Sequence, residues 1–384
     1  MARAFQPKMG RRYATGRNYD LGEGRHRAVS LMSPYTRRRI ITEQELVSLA
    51  LEAHGLNNAE KFIQEVFWRS YFKGWLERRP AIWRDYKNQL DGLCLTMETD
   101  HHLRETYMQA IEGRTGIACF DTWIDELTTT GYLHNHARMW FASIWIFTLR
   151  LPWELGADFF MRHLLDGDPA SNTCSWRWVG GLHSLGKYYE AKPWNIEKFS
   201  GGRFSPKPSD LATVTGPIDP NATLPKPTSV RRPNTPKPQK SSVLLLTEED
   251  CSADLSFFPN LTFSQVIALK SSHLRGKNLG PMVCNFEDAA LQDAAERLRQ
   301  QGLPSAEFLA ANNPQDLLNI THSGKQIVTS FMPTGPLRDW IICQDIPVAE
   351  VMRPWDQAIW PYATAGFFKV KKAVPKVLSA LSML

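Results

Sequence analysis

Residues 40–200 alternate apolar and polar side chains with the spacing that is typical of amphipathic helices. The segment ITEQELVSLALEAHG begins at a capping Thr42, has Glu45 three residues later, and ends at Gly55. The segment NNAEKFIQEVFWRSYFKGWLERR continues in the same manner, with a broad apolar face. Further apolar-periodic segments follow, separated by short turns that carry Gly or Pro. The pattern predicts an all-helical domain with antiparallel neighbours.

A different pattern begins after a stretch with few apolar residues. Nine prolines fall within residues 203–242, which predicts an extended, semi-rigid linker. After it, SSVLLLT and QIVTSF are short apolar runs typical of buried strands, and FEDAALQDAAERLRQQG is an amphipathic helix that ends at Gly302. The segment that begins with VMRPWDQ is predicted to be irregular and to end in a basic helix. This alternation predicts a small α/β unit with a parallel sheet.

These patterns define the predicted domain organisation. We expect a mainly α chain, with an all-helical domain at residues 1–202, the Pro-rich linker at 203–242, and a small Rossmann-like α/β domain with a C-terminal helix at 243–384. A chain of 384 residues is long enough for two such domains and at least one sizeable buried core.

Composition excludes several classes of protein. The apolar and charged fractions are those of an ordinary globular domain, and no stretch approaches the roughly 20 uncharged apolar residues of a membrane span. The N-terminal MARAFQPKMGRRY has no apolar run behind its basic residues, so a secretory signal is not expected. Six cysteines without paired spacing argue against a disulfide framework, a zinc site or a cysteine-ligated iron–sulfur cluster. We therefore expect a cytoplasmic protein without a metal site.

Positive charge is concentrated near the N-terminus. The net charge is only +6, yet residues 1–40 hold ten Lys or Arg against Asp20 and Glu23. Such a segment can bind a polyanion with release of counterions, or it can be a solvated, partly disordered arm, and the sequence leaves both open. Thirteen tryptophans are more than a chain of this size usually carries. Most should pack in cores, but indoles also stack on flavins and bases.

Two local groups of residues are candidates for ligand contacts. Ser30 and Ser33 stand just before a predicted helix, where hydroxyls and free N–H groups can hold a phosphate, although a plain N-cap uses the same pattern. Glu65 and Trp68 lie on one face of another predicted helix, with Arg69 one turn from Glu65. The carboxylate could bond a base edge while the indole stacks on the base. The alternative is a surface Glu–Arg pair beside a core Trp.

Two further groups place polar side chains next to apolar helices. His134 and His136 are two residues apart and do not share a helix face, which argues against a two-His metal site. Polar groups at this position still need hydrogen-bond partners. Asp166 and Asp168 suggest a metal loop, but the spacing of a calcium-binding EF-hand fails after Asp168. The two tryptophans of SWRW could be core on one side and exposed on the other.

The order and spacing of these groups resemble the FAD-binding domain of the DNA photolyase and cryptochrome family. The resemblance runs from about residue 13 to residue 178, close to half the chain. Its specificity lies in matches that follow one another in sequence order: Tyr13-xxx-Arg17-Asn18, Ser30-xx-Ser33-Pro34-Tyr35, Glu65-xx-Trp68-Arg69, Glu112-Gly113-Arg114-Thr115-Gly116 with Asp121, the run from His134 to Met139, and Asp166-Gly167-Asp168 with Asn172, Trp176 and Trp178.

The resemblance implies that a folded-over FAD lies inside the helical domain. Its phosphates and ribitol would be held by Tyr13, Ser30 and Ser33. Its isoalloxazine and adenine would be lined by Asn135, Arg138, Asp166 and Asp168. Arg138 would pair with Asp166, an arrangement that leaves neither buried charge alone.

The resemblance also implies the chemistry, which belongs to the cofactor. In the family, light-excited, fully reduced FAD (the two-electron-reduced form) passes an electron to a cyclobutane pyrimidine dimer in UV-damaged DNA, the ring opens, and the electron returns. Asn172 would face the flavin N5. Electrons would reach the flavin through Trp176 and then Trp153.

The same resemblance implies how the lesion is held. A base inside a duplex cannot reach the flavin, so the lesion would be flipped out. Trp68 and Trp178 would stack on the dimer, with Glu65 bonded to its base edges and Met139 packed below it. Glu65 and Met139 resemble the cyclobutane-dimer repair type, and Asn172 resembles repair enzymes rather than many photoreceptors. The alternative is a cryptochrome-type blue-light photoreceptor without repair activity.

The layout departs from the ordinary family order, in which an α/β antenna domain precedes the FAD domain. Here the α/β-like segment at 243–384 follows it, so the chain resembles a small, rearranged class that prefers lesions in single-stranded DNA. Because that segment is short, no antenna chromophore is expected. We also expect a monomer that does not bind membranes.

Three local departures bear on the expected roles. His136 stands where the family often has an Arg, which leaves the usual contact to the lesion phosphate open. The third tryptophan of the usual electron relay is missing, because Asp100 falls near its place. The candidates to replace it are Trp83, Trp123, Trp140 and Trp145. The loop GGLHSLGKYYEAKPWN replaces the family's usual loop, which fits a single-stranded substrate that is easier to flip.

Overall fold

The computed structural model describes residues 1–238 and 240–384, so Gln239, which the predicted linker includes, lies outside the described residues. The N-terminal part is helical. Its helices are α1 (Ala2–Phe5), α2 (Arg11–Gly16), α3 (Ser33–Arg37), α4 (Glu43–Glu77), α5 (Pro80–Thr99), α6 (His101–Ile111), α7 (Ala118–Thr130), α8 (Asn135–Ser143), α9 (Trp153–His163), α10 (Pro169–Val179) and α11 (Pro193–Phe199). A π-helical turn, Ile144–Thr148, follows α8 directly.

Helix α4 is the central element of this part, and its start follows from the sequence. The Glu45 N–H donates to Thr42 Oγ1 at 3.2 Å, and the Thr42 N–H donates to the Glu45 carboxylate at 2.7 Å, which is the predicted capping box. Gly55 adopts a φ of 65°, and the helix kinks there before it resumes. At Gly74 a Cβ would lie 2.7 Å from the Trp360 indole, so the absent side chain lets Trp360 pack against α4.

A parallel sheet follows in the chain. Its strands are β1 (Ser242–Leu246), β2 (Phe263–Lys270), β3 (Glu307–Ala310), β4 (Gln326–Ser330) and β5 (Val348–Val351), in the order β3-β2-β1-β4-β5. Alternate β1 side chains pack against α12 (Pro281–Gln300) on one face and against α13 (Gln315–His322) and α14 (Pro336–Cys343) on the other. The prediction of a mainly helical chain with a parallel sheet is confirmed.

The chain returns to the helical part after β5. The helices α15 (Pro354–Ile359) and α16 (Phe368–Ala380) bury Trp355, Ile359, Val370 and Val374 in the same core as α4, α8 and α9. We predicted α16 as part of the α/β domain, whereas its apolar face packs on the helical core. An amphipathic helix must bury its apolar face, but its sequence does not say against which core.

The predicted linker and the N-terminal segment both pack against the helical part. Residues 203–238 contain a 3-10 turn (Pro208–Asp210) and run past the end of α4, where the Thr228 N–H donates to the Arg78 carbonyl at 2.8 Å. Near the N-terminus, Phe5, Met9 and Met32 are buried in the helical core. Residues 1–40 are therefore folded rather than a disordered arm. In the part of the chain that the structure describes, no helix is both long and apolar enough to cross a bilayer.

Candidate functional site

A cavity of about 590 Å³ opens among helices α2, α4, α8 and α10 and the loop before α3. It is lined by every predicted site residue except Trp153: Tyr13, Ser30, Ser33, Glu65, Trp68, Asn135, Arg138, Met139, Asp166, Asp168, Asn172, Trp176 and Trp178. These residues come from separate segments of the sequence, and the packing of the helices brings them around one space. Their individual roles stay predictions.

The predicted pair of Arg138 and Asp166 is present in the cavity wall. An Arg138 Nη2–Asp166 Oδ1 distance of 3.0 Å joins them, and Arg138 Nε donates to the Leu133 carbonyl at 2.8 Å. Burial opposes ionisation of Asp166, but the charges of Arg138 and Arg69 and a hydrogen bond from Ser33 outweigh it and lower its pKa. The pair therefore presents two fixed, opposite charges to the cavity.

Asp168 lies beside this pair and is held mainly by protein cations. Its Oδ1 accepts from the Ser171 N–H at 2.8 Å and caps α10, while Oδ2 lies 3.3 Å from Arg37 Nε and 3.4 Å from Lys73 Nζ. Burial opposes its ionisation, but Lys73 and Arg37 outweigh that effect and lower its pKa. Asp168 therefore fixes the start of α10, on which the predicted Asn172, Trp176 and Trp178 stand.

The cations around Asp168 also reach the sheet. Arg37 donates to both Glu249 oxygens, at 3.0 and 2.7 Å, and Lys73 Nζ lies 3.4 Å from the same carboxylate. Glu249 follows β1 at the carboxyl edge of the sheet, between β2 and β4 in the strand order. Ligands of open α/β sheets generally bind in the crevice at this switch point. Here the crevice receives basic side chains of the helical part.

Two neighbouring arginines extend this contact. Arg38 binds Glu287 of α12, which Arg275 also binds at 2.5 Å. Arg39 Nη2 lies 2.6 Å from Asp356. Sequence reasoning missed this network, although the complementary runs RRR at 37–39 and EED at 248–250 were visible. The three arginines are buried in ion pairs and so are unavailable to bind the phosphates of a polyanion, one of the two roles that the charge count left open.

The predicted phosphate and ribitol contacts lie at the α2 side of the cavity. The Tyr13 ring packs edge-on against Phe62 at 5.2 Å, and burial raises the pKa of its phenol, which stays protonated as a donor. Ser30 Oγ accepts from the Met32 N–H at 3.3 Å, and Ser33 bonds Asp166. Leu31, between the two serines, has a left-handed φ of 56°. The hydroxyls are thus carried on a strained, tightly folded loop.

The predicted lesion contacts also line the cavity, and Glu65 lies next to the end of α2. Glu65 forms an ion pair with Arg17, with Nε–Oε1 at 3.4 Å, and its side chain is 39% exposed, toward the cavity. The carboxyl group is nevertheless surrounded by protein within the cavity. This burial raises the pKa of Glu65, and the positive charge of Arg17 offsets part of the effect. Trp68 stacks on Phe367 at 3.9 Å, and Trp178 stacks on Tyr189 at 5.6 Å. Both indoles are half-buried and are supported from behind by a second ring.

The two histidines line the cavity and are bonded to backbone carbonyl oxygens. His134 Nε2 lies 3.0 Å from the Arg17 carbonyl oxygen, and His136 Nδ1 lies 2.9 Å from that of Asn18. Burial lowers the pKa of His134 to about 3, so this ring is neutral at physiological pH. The hydrogen-bond partners of these two imidazoles are thus the backbone carbonyl groups of Arg17 and Asn18, directly after α2. His136 also lies 3.3 Å from the Tyr189 hydroxyl.

The remaining predicted residues differ in how close they lie to the cavity. Asn172 Nδ2 donates to the Ala157 carbonyl at 2.8 Å, which leaves its Oδ1 as an acceptor. Trp176 is buried at the cavity wall. Trp153 lies outside, at a second cavity of about 850 Å³ that residues 218–225 help to line. It packs against Tyr86 at 5.5 Å and under the Arg177 guanidinium at 5.8 Å.

Unsatisfied polar atoms indicate what kind of ligand the main cavity fits. Among the described residues, Arg69 Nη1 and Trp176 Nε1 are buried donors of the cavity wall without a hydrogen-bond partner. Buried donors are rarely left unpaired, so a ligand rich in acceptor atoms would complete them. FAD carries such acceptors on its rings, ribitol and phosphates. The residues present therefore fit the group that the resemblance implied.

One further cluster lies behind the cavity. The ligand atoms of Asp20, His26 and Glu126 are within 4.8 Å of one another, a spacing that would suit a metal ion. Arg203 already lies between the acids, 3.2 Å from Asp20 and 3.5 Å from Glu126. This guanidinium balances the carboxylates, and we assign no metal there.

Comparison with known proteins supports the resemblance. Residues 62–198 match the family described as the FAD binding domain of DNA photolyase. A deoxyribodipyrimidine photo-lyase from Streptomyces griseus is 34% identical over 155 residues, which are 40% of this chain and 32% of the relative. A deoxyribodipyrimidine photo-lyase from Thermus thermophilus is 34% identical over 186 residues, which are 47% of this chain and 41% of the relative. The chain thus matches well under half the length of these relatives.

A solved structure of a bacterial class III photolyase from Agrobacterium tumefaciens is 25% identical, with a TM-score of 0.41 over 52% of this chain and 41% of that chain. Recognition of the photolyase FAD-binding domain from the motifs is confirmed by the family match. The placement in the rearranged, single-strand-preferring class stays a prediction.

Proposed function

We propose that this chain, in which residues 62–198 carry a photolyase-type FAD-binding domain, binds FAD and uses light to split cyclobutane pyrimidine dimers in DNA. One observation carries the proposal. A single cavity combines the pair of half-buried Arg138 and buried Asp166 with a carboxylate, Glu65, and two half-buried indoles, Trp68 and Trp178. The charged pair suits the polar edge of a flavin, and the acid and indoles suit flipped bases.

The side chains of the cavity hold and orient the cofactor. The contacts to its phosphates and ribitol are Tyr13, Ser30 and Ser33. The contacts to its ring systems are Asn135, Arg138, Asp166 and Asp168. Asn172 keeps one free acceptor, because its amide nitrogen is bonded to Ala157, and this acceptor suits the protonated N5 of a reduced flavin.

Other side chains hold the lesion. When bound and fully reduced, FAD supplies under light the electron that opens the cyclobutane ring and takes it back afterwards. Trp68 and Trp178 stack on the flipped dimer, and Met139 packs below it. Glu65 bonds the base edges and is oriented by Arg17. Together these groups exclude water from the reacting bases.

We further propose single-stranded DNA as the preferred substrate. The support is the position of the sheet after the helices in the chain, and the short Gly-rich turn that begins at Gly180, separated from Trp178 only by Val179. A single-stranded lesion is already unpaired and is therefore easier to flip than one in a duplex. A cytoplasmic monomer without an antenna chromophore completes the proposal. The rival is a blue-light photoreceptor, which needs the same flavin cavity but no lesion contacts.

The test is a repair assay on the purified chain. UV-irradiated oligo(dT), single-stranded and annealed to its complement, is mixed with the chemically reduced protein in blue light or darkness, and dimers are counted. Light-dependent loss of dimers is the expected result, and it should be faster on the single strand. Bound flavin with no repair of either substrate would contradict the proposal and favour a photoreceptor.

A further inference from the structure

The buried Trp176 at the cavity wall has Trp145 as its tryptophan neighbour. The Trp176 and Trp145 ring centroids are 6.1 Å apart, with planes at 82°, and both rings are buried. Gly156 of α9 lies against both rings: a Cβ there would be 2.3 Å from the Trp176 ring and 3.0 Å from the Trp145 ring. The two indoles can therefore touch only because this helix position has no side chain.

Trp145 is held in a distinctive local structure. It lies in the π-helical turn Ile144–Thr148, and such turns occur frequently at functional sites. Its Nε1–H donates to the Pro152 carbonyl at 2.9 Å. This bond fixes the ring and places the negative end of a carbonyl dipole where positive charge develops if the indole loses an electron.

Beyond Trp145 lies Tyr107, which can end a series of electron-donating side chains near solvent. The Tyr107 ring centroid is 6.0 Å from that of Trp145, and Tyr107 is half-buried. Its hydroxyl accepts from Arg162 Nη2 at 2.8 Å, and Arg162 in turn pairs with Asp158 at 2.8 Å. Because oxidation of a phenol releases its proton, the oxidised Tyr107 is neutral and is not repelled by Arg162.

Trp153 has the opposite electrostatic setting. The Arg177 guanidinium lies 5.8 Å from the centroid of its ring. Arg177 hydrogen-bonds to the Leu182 carbonyl, and the carboxylates of Glu154 and Asp85, which line the same cavity, act on it only from beyond ion-pair distance in the part of the chain that the structure describes. A guanidinium over the ring that is compensated only by more distant carboxylates favours the neutral indole and opposes its oxidation. Trp153 is thus the poorer electron donor of the two tryptophans.

We infer that electrons reach the flavin through Trp176, Trp145 and Tyr107, with Trp153 outside the route; the inference rests on the proposed FAD site. Trp176 gives one electron to the light-excited oxidised flavin. Trp145 gives one electron to the Trp176 radical cation. Tyr107 gives one electron to the Trp145 radical cation and its phenolic proton to water. An external thiol then reduces the tyrosyl radical and becomes a thiyl radical.

The test compares flavin-loaded variants under blue light with a thiol present. The variants are Trp145→Phe, Tyr107→Phe and Trp153→Phe, with the exposed Trp194→Phe as a matched control. We expect light-driven flavin reduction to slow by at least about tenfold in the first two and to stay near the wild-type rate in the others. Electron paramagnetic resonance should detect a light-induced tyrosyl radical in the wild type that is lost in Tyr107→Phe.

Two further measurements separate a blocked electron route from a disturbed core or a failure of the proposed function. Tyr107→Phe removes only a hydroxyl, so it tests the route even if Trp145→Phe disturbs the core. Repair by each variant after chemical reduction of the flavin is measured separately, since it tests the proposed function without using the route. An unchanged rate in Trp145→Phe, a slowed rate in Trp153→Phe, or a tyrosyl radical that survives in Tyr107→Phe overturns the inference, whether or not the protein repairs dimers.

Discussion

Phe367 stacks face to face on Trp68, with ring centroids 3.9 Å apart and planes at 13°. The two residues are about 300 positions apart in the sequence, and Phe367 stands at the start of α16. One face of the Trp68 indole is thereby covered by protein. The orientation of the proposed lesion-stacking ring thus depends on a segment that follows the sheet.

Replacement of Phe367 by Leu should weaken dimer binding more than flavin binding. The change keeps an apolar side chain but removes the ring stacking behind Trp68, which is worth about 0.5–1.5 kcal/mol. We expect an affinity for a dimer-containing oligonucleotide about two- to tenfold lower, measured by fluorescence anisotropy, with unchanged flavin content. Phe368→Leu is the matched control, because Phe368 is 76% exposed. Equal affinity in the two variants would contradict the supporting role of Phe367.

Replacement of Glu65 by Ala should reduce repair and leave FAD bound. Glu65 is placed to bond the base edges, and a hydrogen bond to a charged group contributes about 1.5–3 kcal/mol. The quantum yield of repair or the affinity for the dimer should fall accordingly, by roughly ten- to a hundredfold. Glu60→Ala, on the same helix and half-exposed, is the control. Equal repair by both variants would show that Glu65 does not contact the lesion.

Replacement of Asp166 by Asn should reduce the flavin content of the purified protein. The substitution keeps the shape but removes the charge that pairs with Arg138 at 3.0 Å, leaving a guanidinium beside the cavity without its partner. We expect FAD to bind roughly ten- to a hundredfold more weakly, measured by the flavin absorbance retained after gel filtration. Asp158→Asn, which breaks the pair with Arg162 outside the cavity, should retain FAD.

The contact between the sheet and the helical part should make the fold sensitive to acid. Burial opposes ionisation of Glu287, but Arg38 and Arg275 outweigh it and lower its pKa to about 2 from the usual 4.5. The ionised form therefore stabilises the fold above about pH 4.5, and this contribution, on the order of 3 kcal/mol, is lost as the pH falls from there toward 2.

Urea unfolding between pH 7 and pH 3 measures this effect. Glu287→Gln should lose the acid-dependent part and be less stable at pH 7 by roughly 3–5 kcal/mol, because two buried arginines lose their partner. The exposed Glu105→Gln should follow the wild-type curve. If the pH dependence of the free energy of unfolding is unchanged in Glu287→Gln, other carboxylates cause the sensitivity to acid.

Exposed arginines near the cavity should set the salt dependence of DNA binding. Arg25 and Arg27 are exposed in the loop before Ser30, whereas the arginines at 37–39 are buried. If both contact phosphates, the double Ala variant should lower the slope of log affinity against log salt by about 1.4 on single strands. The surface Arg299→Ala is the control. An unchanged slope would remove this loop from the binding face.

Local chemistry explains most of what the sequence predicted. The capping box of Thr42 and Glu45 spans four residues, so both partners are visible in one short segment. Periodicity gave the helices and two of the strands, and the motif spacing gave the residues of the main cavity. Each of these features depends on residues that are close in sequence or on a recognised family pattern.

Long-range pairing explains what could not be predicted. Arg37 and Glu249 are more than 200 positions apart, and many basic and acidic side chains could have paired instead. The choice between Trp145 and the other candidate tryptophans depends on the approach of two rings across Gly156, which no periodicity reveals. The sequence of α16 shows an apolar face. The core that this face packs against depends on how the chain leaves the sheet, which the sequence pattern does not show.

The return of α16 to the helical core has a consequence for biosynthesis. A ribosome adds about 5–20 residues per second, so Phe367 is made roughly 15–60 s after Trp68. During that interval the back of the Trp68 ring and the α4 surface that Trp360 covers remain open. The nascent helical bundle therefore exposes apolar surface until α16 has left the ribosome.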